Sequence, residues 1–274
     1  MRHIPAFENP ILSRVIRHQW KFSRICFALV IQSILLLIIC QLLFLARLGR
    51  YTDLIFLSEA LVILIVSPYL ACSSLNTHFA HLVSSNLLQL SRMRSQQVGF
   101  SVIVGSQIYT FCFLGIATLA LIILIPLNST LTYFEVLRLQ TVIGLYIIVA
   151  ASVGGVCWRV FRHKIYATEA TYLAWSLLIG SVFLLAPLDR YLDNLEPIIP
   201  VFLHLNPLMA VCNLLGIDVF RTPHLYELTP IPSYRVVYPA WHVVCTVQIL
   251  IAICCMVLTR WHSLKILEQQ EFTD

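Results

Sequence analysis

Charge is what this 274-residue chain has least of: only 11% of its residues are Asp, Glu, Lys or Arg, and 59% are hydrophobic. A soluble domain carries about a quarter charged residues, so that class is excluded. Lysine is scarcest: Lys21, Lys164 and Lys265 are the full set, and none follows a glycine-rich turn. That excludes a Walker A loop, whose lysine must reach the phosphates of a nucleotide. No Gly-x-Ser-x-Gly, no His-Glu-x-x-His and no two acids within one apolar run are found, so an enzyme is not expected. The nine cysteines include no Cys-x-x-Cys pair, which removes the usual zinc and redox motifs. They read as small apolar packing residues.

What the chain does have is long apolar runs. Six are long enough to cross a bilayer, which takes about 20 residues. They lie near 25–46, 54–75, 98–125, 136–157, 166–186 and 240–259. The expected fold is therefore an all-α membrane protein of one domain, 1–274, with six transmembrane helices. The first run is too long for a signal peptide and shows no small-residue cleavage site, so it reads as a retained anchor.

Ahead of it, residues 9–24 predict an amphipathic interfacial helix. Asn9 can cap it and Pro10 suits its first turn. Ile11, Leu12, Val15, Ile16 and Trp20 form one side, and Arg14, Arg17, Lys21 and Arg24 follow another. Such a helix lies along the lipid headgroups, its cations and Trp20 anchoring it. Membrane lipid accounts for the net charge of +5, and no nucleic-acid partner is needed. If the N-terminus is cytoplasmic, twelve of the 18 basic residues fall on the inside. The positive-inside rule then places both termini in the cytoplasm.

Two of the linking segments are long. Residues 76–97, on the inside, carry Phe79, Leu82, Val83, Leu87 and Leu90 at helical spacing, with Asn76 or Thr77 available as a cap and Arg92 and Arg94 following. This helix either rests on the membrane or presents a face to a cytoplasmic partner. His78 and His81, one turn apart, lack the further ligands that a metal site needs. Residues 187–239, on the outside, hold eight of the 12 prolines. Within them 206–217 is apolar but half the length of a span, and Asn206–Pro207 repeats the opening of the N-terminal helix. A short re-entrant or interfacial helix is expected there.

Glu59 and Glu169 are the only carboxylates of the second and fifth runs. Acids inside a membrane are functional candidates, although both lie near enough to an end to snorkel. Small residues at fourfold spacing (Ser101 with Gly105, Ala150 with Gly154, Ala151 with Gly155, Ser176 with Gly180) predict close helix packing and a possible dimer seam.

The layout, with "NPILSRVIR" (9–17), "SPYLACSSL" (67–75), "LNPLMAV" (205–211), "VYPAW" (237–241) and "LTRWHSLKIL" (258–267), resembles the permease subunits of type-2 ABC exporters. It departs from them at "NTHFAHLVSSN" (76–86), where family members often carry an acidic-basic run. The resemblance implies that residues 9–24 are an elbow helix and that 76–97 is a coupling helix received by a separate ABC ATPase subunit. Phe79, Leu82, Val83, Leu87, Leu90, Arg92 and Arg94 would be its coupling residues. ATP and Mg would be bound by that partner, with no cofactor in this chain. A second permease, identical or related, would face this one in the cytoplasmic (inner) membrane. The alternative is a membrane scaffold or assembly subunit that transports nothing.

Overall fold

In the computed structural model, the described residues are 22–47, 51–84, 105, 107–128, 131–161, 163–192, 194–221, 229–234 and 237–271. Within them every regular element is helical. The long helices are α1 (Phe22–Leu45), α2 (Tyr51–Ser84), α3 (Ile108–Asn128), α4 (Tyr133–Phe161), α5 (Lys164–Gly180) and, last in the chain, α9 (Trp241–Glu271). Between α5 and α9 lie the short helices α6 (Leu185–Leu188), α7 (Ile199–Leu205) and α8 (Pro207–Leu214).

Five helical stretches are long and apolar enough to cross a membrane: Ile25–Leu45, Asp53–Ala71, Tyr133–Phe161, Ile165–Leu188 and Trp241–Thr259. A helix satisfies its own backbone groups, which is why apolar runs of this length take that form in lipid. The expected third span, 98–125, begins outside the described residues, and its described apolar part is the shorter Ile108–Leu119. The fifth is continuous through a 3-10 turn, Ser181–Leu184, into α6. Hydroxyls inside these helices bond back to the preceding turn: Thr171 Oγ1 to Ala167 O at 2.7 Å, Ser152 Oγ to Ile148 O at 2.8 Å, and Thr118 Oγ1 to Leu114 O at 2.6 Å. Each polar group is thereby met without a partner helix.

Helix α4 is the centre, packed against α2, α3, α5, α8 and α9. Its start is fixed by a capping box: Thr132 N donates to Glu135 Oε2 at 2.7 Å and Glu135 N to Thr132 Oγ1 at 3.3 Å. Helices α2, α4 and α9 run the same way. Glu59 and then Leu64 of α2 meet Gln140 and then Tyr146 of α4. Arg138 and then Arg159 of α4 meet Trp241 and then Thr259 of α9. Helix α5 runs against them, since Tyr146 meets Trp175 while Cys157 meets the earlier Thr171. The main core joins α2 and α4 through Phe56, Ile63, Leu139 and Ile147, all buried.

Three expectations need correction or limits. Helix α2 runs through Asn76 and Thr77 to Ser84, so neither residue caps a new helix. The peptide bonds there simply continue the ladder begun in the span. Phe79, Leu82 and Val83 are on that helix, but their side chains, and Leu87, Leu90, Arg92 and Arg94 altogether, lie outside the described residues. The same is true of 9–21, with Arg14, Arg17, Trp20 and Lys21; residues 22–24 belong to α1, and the Arg24 side chain is outside the description. The small-residue reading holds only in part. Ala150 and Ala151 are fully buried within the chain, but a Cβ on Gly155 or Gly180 would meet nothing within 4 Å. Among the described residues of this one chain, no close helix approach depends on those two glycines.

Candidate functional site

Glu59 stands eight residues into α2 and is 1% exposed. It does not snorkel. Gln140 of α4 donates Nε2 to Glu59 Oε2 at 3.1 Å and to Oε1 at 3.4 Å. Gln140 is itself buried, and its Oε1 has no hydrogen-bond partner among the described residues. Beside this pair, α2, α4 and α8 leave an apolar crevice lined by Ala60, Leu64, Ile143, Tyr146, Leu208 and Val211, among others. Glu169, the acid of the expected fifth span, is on an exposed face of α5 and makes no hydrogen bond with Glu59 among the described residues.

Nine residues beyond Glu59, α2 contains Pro68. A proline inside a helix has no N–H for the carbonyl four residues back, which here is Leu64 O. Tyr146 of α4 donates its hydroxyl to that oxygen at 3.3 Å. Tyr172 of α5 donates to the next carbonyl, Ile65 O, at 2.6 Å. From the start of α3, Gln107 Nε2 donates to Ser67 O at 3.0 Å while its Oε1 accepts from Ser67 Oγ at 2.9 Å and Thr110 Oγ1 at 3.1 Å. Three helices thus supply polar side chains to one interrupted turn of a fourth. The Tyr146 ring also packs on Trp175, with centroids 4.4 Å apart.

The roof over the crevice is the segment between α5 and α9. Asn206 caps α8 as its sequence predicts: Oδ1 accepts from Leu208 N at 3.0 Å, and Pro207 occupies the first turn. The same side chain donates Nδ2 to Ile179 O at 2.8 Å, tying α8 to the end of α5. Helix α8 closes at Gly216, whose φ of +64° suits a residue without a Cβ. There Ile217 N reaches Cys212 O at 2.9 Å and Gly216 N reaches Asn213 O at 3.1 Å. Asn213 Nδ2 donates to Pro239 O at 3.1 Å, fastening α8 to the approach of α9. Behind α8 a second core gathers Val182, Leu185, Leu195, Ile199, Leu203, Met209, Phe220 and Ile231. The Tyr238 ring stacks on Phe220 at 6.0 Å and its hydroxyl donates to Asp218 Oδ1 at 2.8 Å. Burial first, and the Asp218 carboxylate second, push the Tyr238 hydroxyl well above its ordinary range. Burial likewise pushes the Cys212 thiol up to about 12, which makes it a packing group and not a nucleophile.

Sequence reasoning singled out Glu59 but not Gln140, Gln107, Tyr146 or Tyr172. The signal was available, because a polar side chain in an apolar run must find a partner. Gln32 of α1 and Gln248 of α9 carry it too; both are buried, and neither amide has a hydrogen-bond partner among the described residues. No group of three His, Cys, Asp or Glu side chains placed to hold a metal occurs among the described residues.

Five membrane-length helices around a buried polar centre define the class: this is an all-helical, multi-pass membrane protein. Set against known proteins, the chain matches no family model and no curated protein.

Proposed function

We propose that the chain is the membrane-spanning permease subunit of an ATP-binding cassette transporter, an exporter driven by a separate ATPase subunit. The observation that carries this reading is the Asn206–Pro207 helix. In the sequence it is the "LNPLMAV" element of the resemblance, and in the fold it is a short helix docked on α2, α4 and α9. The unbroken run of α2 past its apolar part to Ser84 adds support, because it carries the chain toward a coupling segment at 76–97. On this reading the chain sits in the inner membrane with six crossings and both termini cytoplasmic. It pairs with a second permease, and ATP and Mg belong to the ATPase.

The test is recovery of partners. The full chain, tagged and extracted in mild detergent, is expected to bring down an ATPase whose turnover it alters. Leu87→Asp with Leu90→Asp is expected to lose that ATPase while the spans still insert. Recovery of other membrane proteins with no ATPase would replace the permease by a scaffold subunit.

A further inference from the structure

Arg138 of α4 is a cation with no hydrogen-bond acceptor and no ion pair among the described residues, and its Nε is buried. Its guanidinium lies 4.3 Å from the Phe134 ring centre and 5.6 Å from that of Trp241. Rings of that kind meet the charge through its faces and leave the N–H edge of the fork unused. Arg159, toward the other end of α4, is met by Thr259 O at 2.6 Å. A guanidinium cannot shed its charge by losing a proton, so Arg138 calls for an anion from outside the chain. Glu135, one turn earlier, senses that charge but is held elsewhere. Its Oε2 accepts from Thr132 N at 2.7 Å and from Thr132 Oγ1 at 3.0 Å. Glu135 Oε1 has no hydrogen-bond partner among the described residues.

The surroundings say where that anion comes from. The membrane-length stretches of α4 and α9 begin at Tyr133 and Trp241, beside this pair of charges. Tyr133 and Phe134 are each 59% exposed and Leu137 is 62% exposed, an aromatic edge giving way to an apolar face, as at the boundary of a bilayer. Glu135 stands nearer the water than Arg138 by three residues of helix, about 4.5 Å. We propose that Arg138 and Glu135, with Phe134 and Leu137, bind one phospholipid with a phosphoethanolamine head. The phosphate accepts from the Arg138 fork, the ammonium donates to Glu135 Oε1, and an acyl chain lies along Leu137. The order suits that head, whose phosphate joins the glycerol and whose amine is outermost. An anionic head offers Glu135 nothing, and a lipid without phosphate offers Arg138 nothing.

This site does not depend on the permease reading, and no ATPase enters its test. The full chain, delipidated in a maltoside detergent, is titrated with dioleoyl-phosphatidylethanolamine, dioleoyl-phosphatidylglycerol and dioleoylglycerol, and bound lipid is counted by native mass spectrometry. One saturable site is expected, with the ethanolamine lipid about fivefold tighter than the glycerol one and dioleoylglycerol weaker than both. Arg138→Gln is expected to weaken both phospholipids about tenfold. Glu135→Gln keeps the capping box, since Gln serves at that position, and is expected to abolish the preference for ethanolamine while phosphatidylglycerol still binds. Melting temperatures without lipid show that each variant is folded; where Arg138→Gln is not, the Glu135→Gln comparison decides. Equal binding of phosphatidylethanolamine by the wild type and a folded Arg138→Gln overturns the site, and an unchanged preference in Glu135→Gln overturns the head assignment. Displacement of the lipid by millimolar inorganic phosphate would make this a free-phosphate site and overturn the lipid.

Discussion

The Tyr146 hydroxyl donates to the Leu64 carbonyl at 3.3 Å, and that carbonyl is the one Pro68 leaves without its helical partner. The two residues come from different spans, and each answers a deficit in the other. A tyrosine hydroxyl buried in an apolar bundle needs an acceptor, and the interrupted turn of α2 offers one.

Tyr146→Phe is therefore expected to cost about 1 kcal/mol, the usual scale for a hydrogen bond between membrane helices. Pro68→Ala restores the N–H that Leu64 O lacks. In that background the Tyr146→Phe cost is expected to shrink. Thermal unfolding of the four proteins in detergent gives the coupling directly, and strictly additive effects would contradict the pairing.

Asn206 makes two bonds with one side chain, so its loss is felt at two places. Asn206→Ala is expected to destabilise by about 2 kcal/mol, from the lost cap and the unmet Ile179 carbonyl. Asn206→Ser retains a capping oxygen and is expected to fall between. Limited proteolysis between residues 187 and 239 reads the outcome, with cleavage fastest in the alanine variant.

Tyr238 gives a prediction with a sign. Its folded pKa lies above the unfolded value of 10.0, so the folded state holds the proton more tightly. Its contribution is complete below pH 10 and is lost as pH rises beyond it. Tyr238→Phe is expected to be less stable at neutral pH by about 1 kcal/mol. The gap between the two proteins should close as pH passes 10 and then reverse, because the phenolate meets the Asp218 carboxylate. Paired melting curves across that range check it; a constant gap counts against the assignment.

The distribution of Lys and Arg predicts the sidedness of the chain. A reporter active only outside the membrane, fused after residue 215, is expected to work, and after residue 270 to be silent. The opposite pattern would invert the whole topology.

Much of this architecture is legible one residue at a time. The spans follow from apolar length, and the α8 start follows from Asn206 and Pro207 because a cap is local chemistry. The fate of Glu59 is different. Distance from a helix end allows either an outward or an inward side chain, and only the arrival of Gln140 from a span 81 residues away decides it. Pro68 is a similar case: hydropathy gives the helix, but not the tyrosines that let it continue. Asn76 and Thr77 show the opposite failure, since a capping residue starts a helix only where the preceding turn has ended.

The two fastenings of α4 to α9 have a mechanical meaning. At one end the Arg138 guanidinium lies 4.3 Å from the Phe134 ring centre and 5.6 Å from that of Trp241; at the other, Arg159 Nη1 donates to Thr259 O at 2.6 Å. Along α4 these points are about 30 Å apart. A beam held at both ends can neither slide by a turn nor pivot without releasing a clamp. In this molecule α4 and α9 form one strut, fastened at both ends.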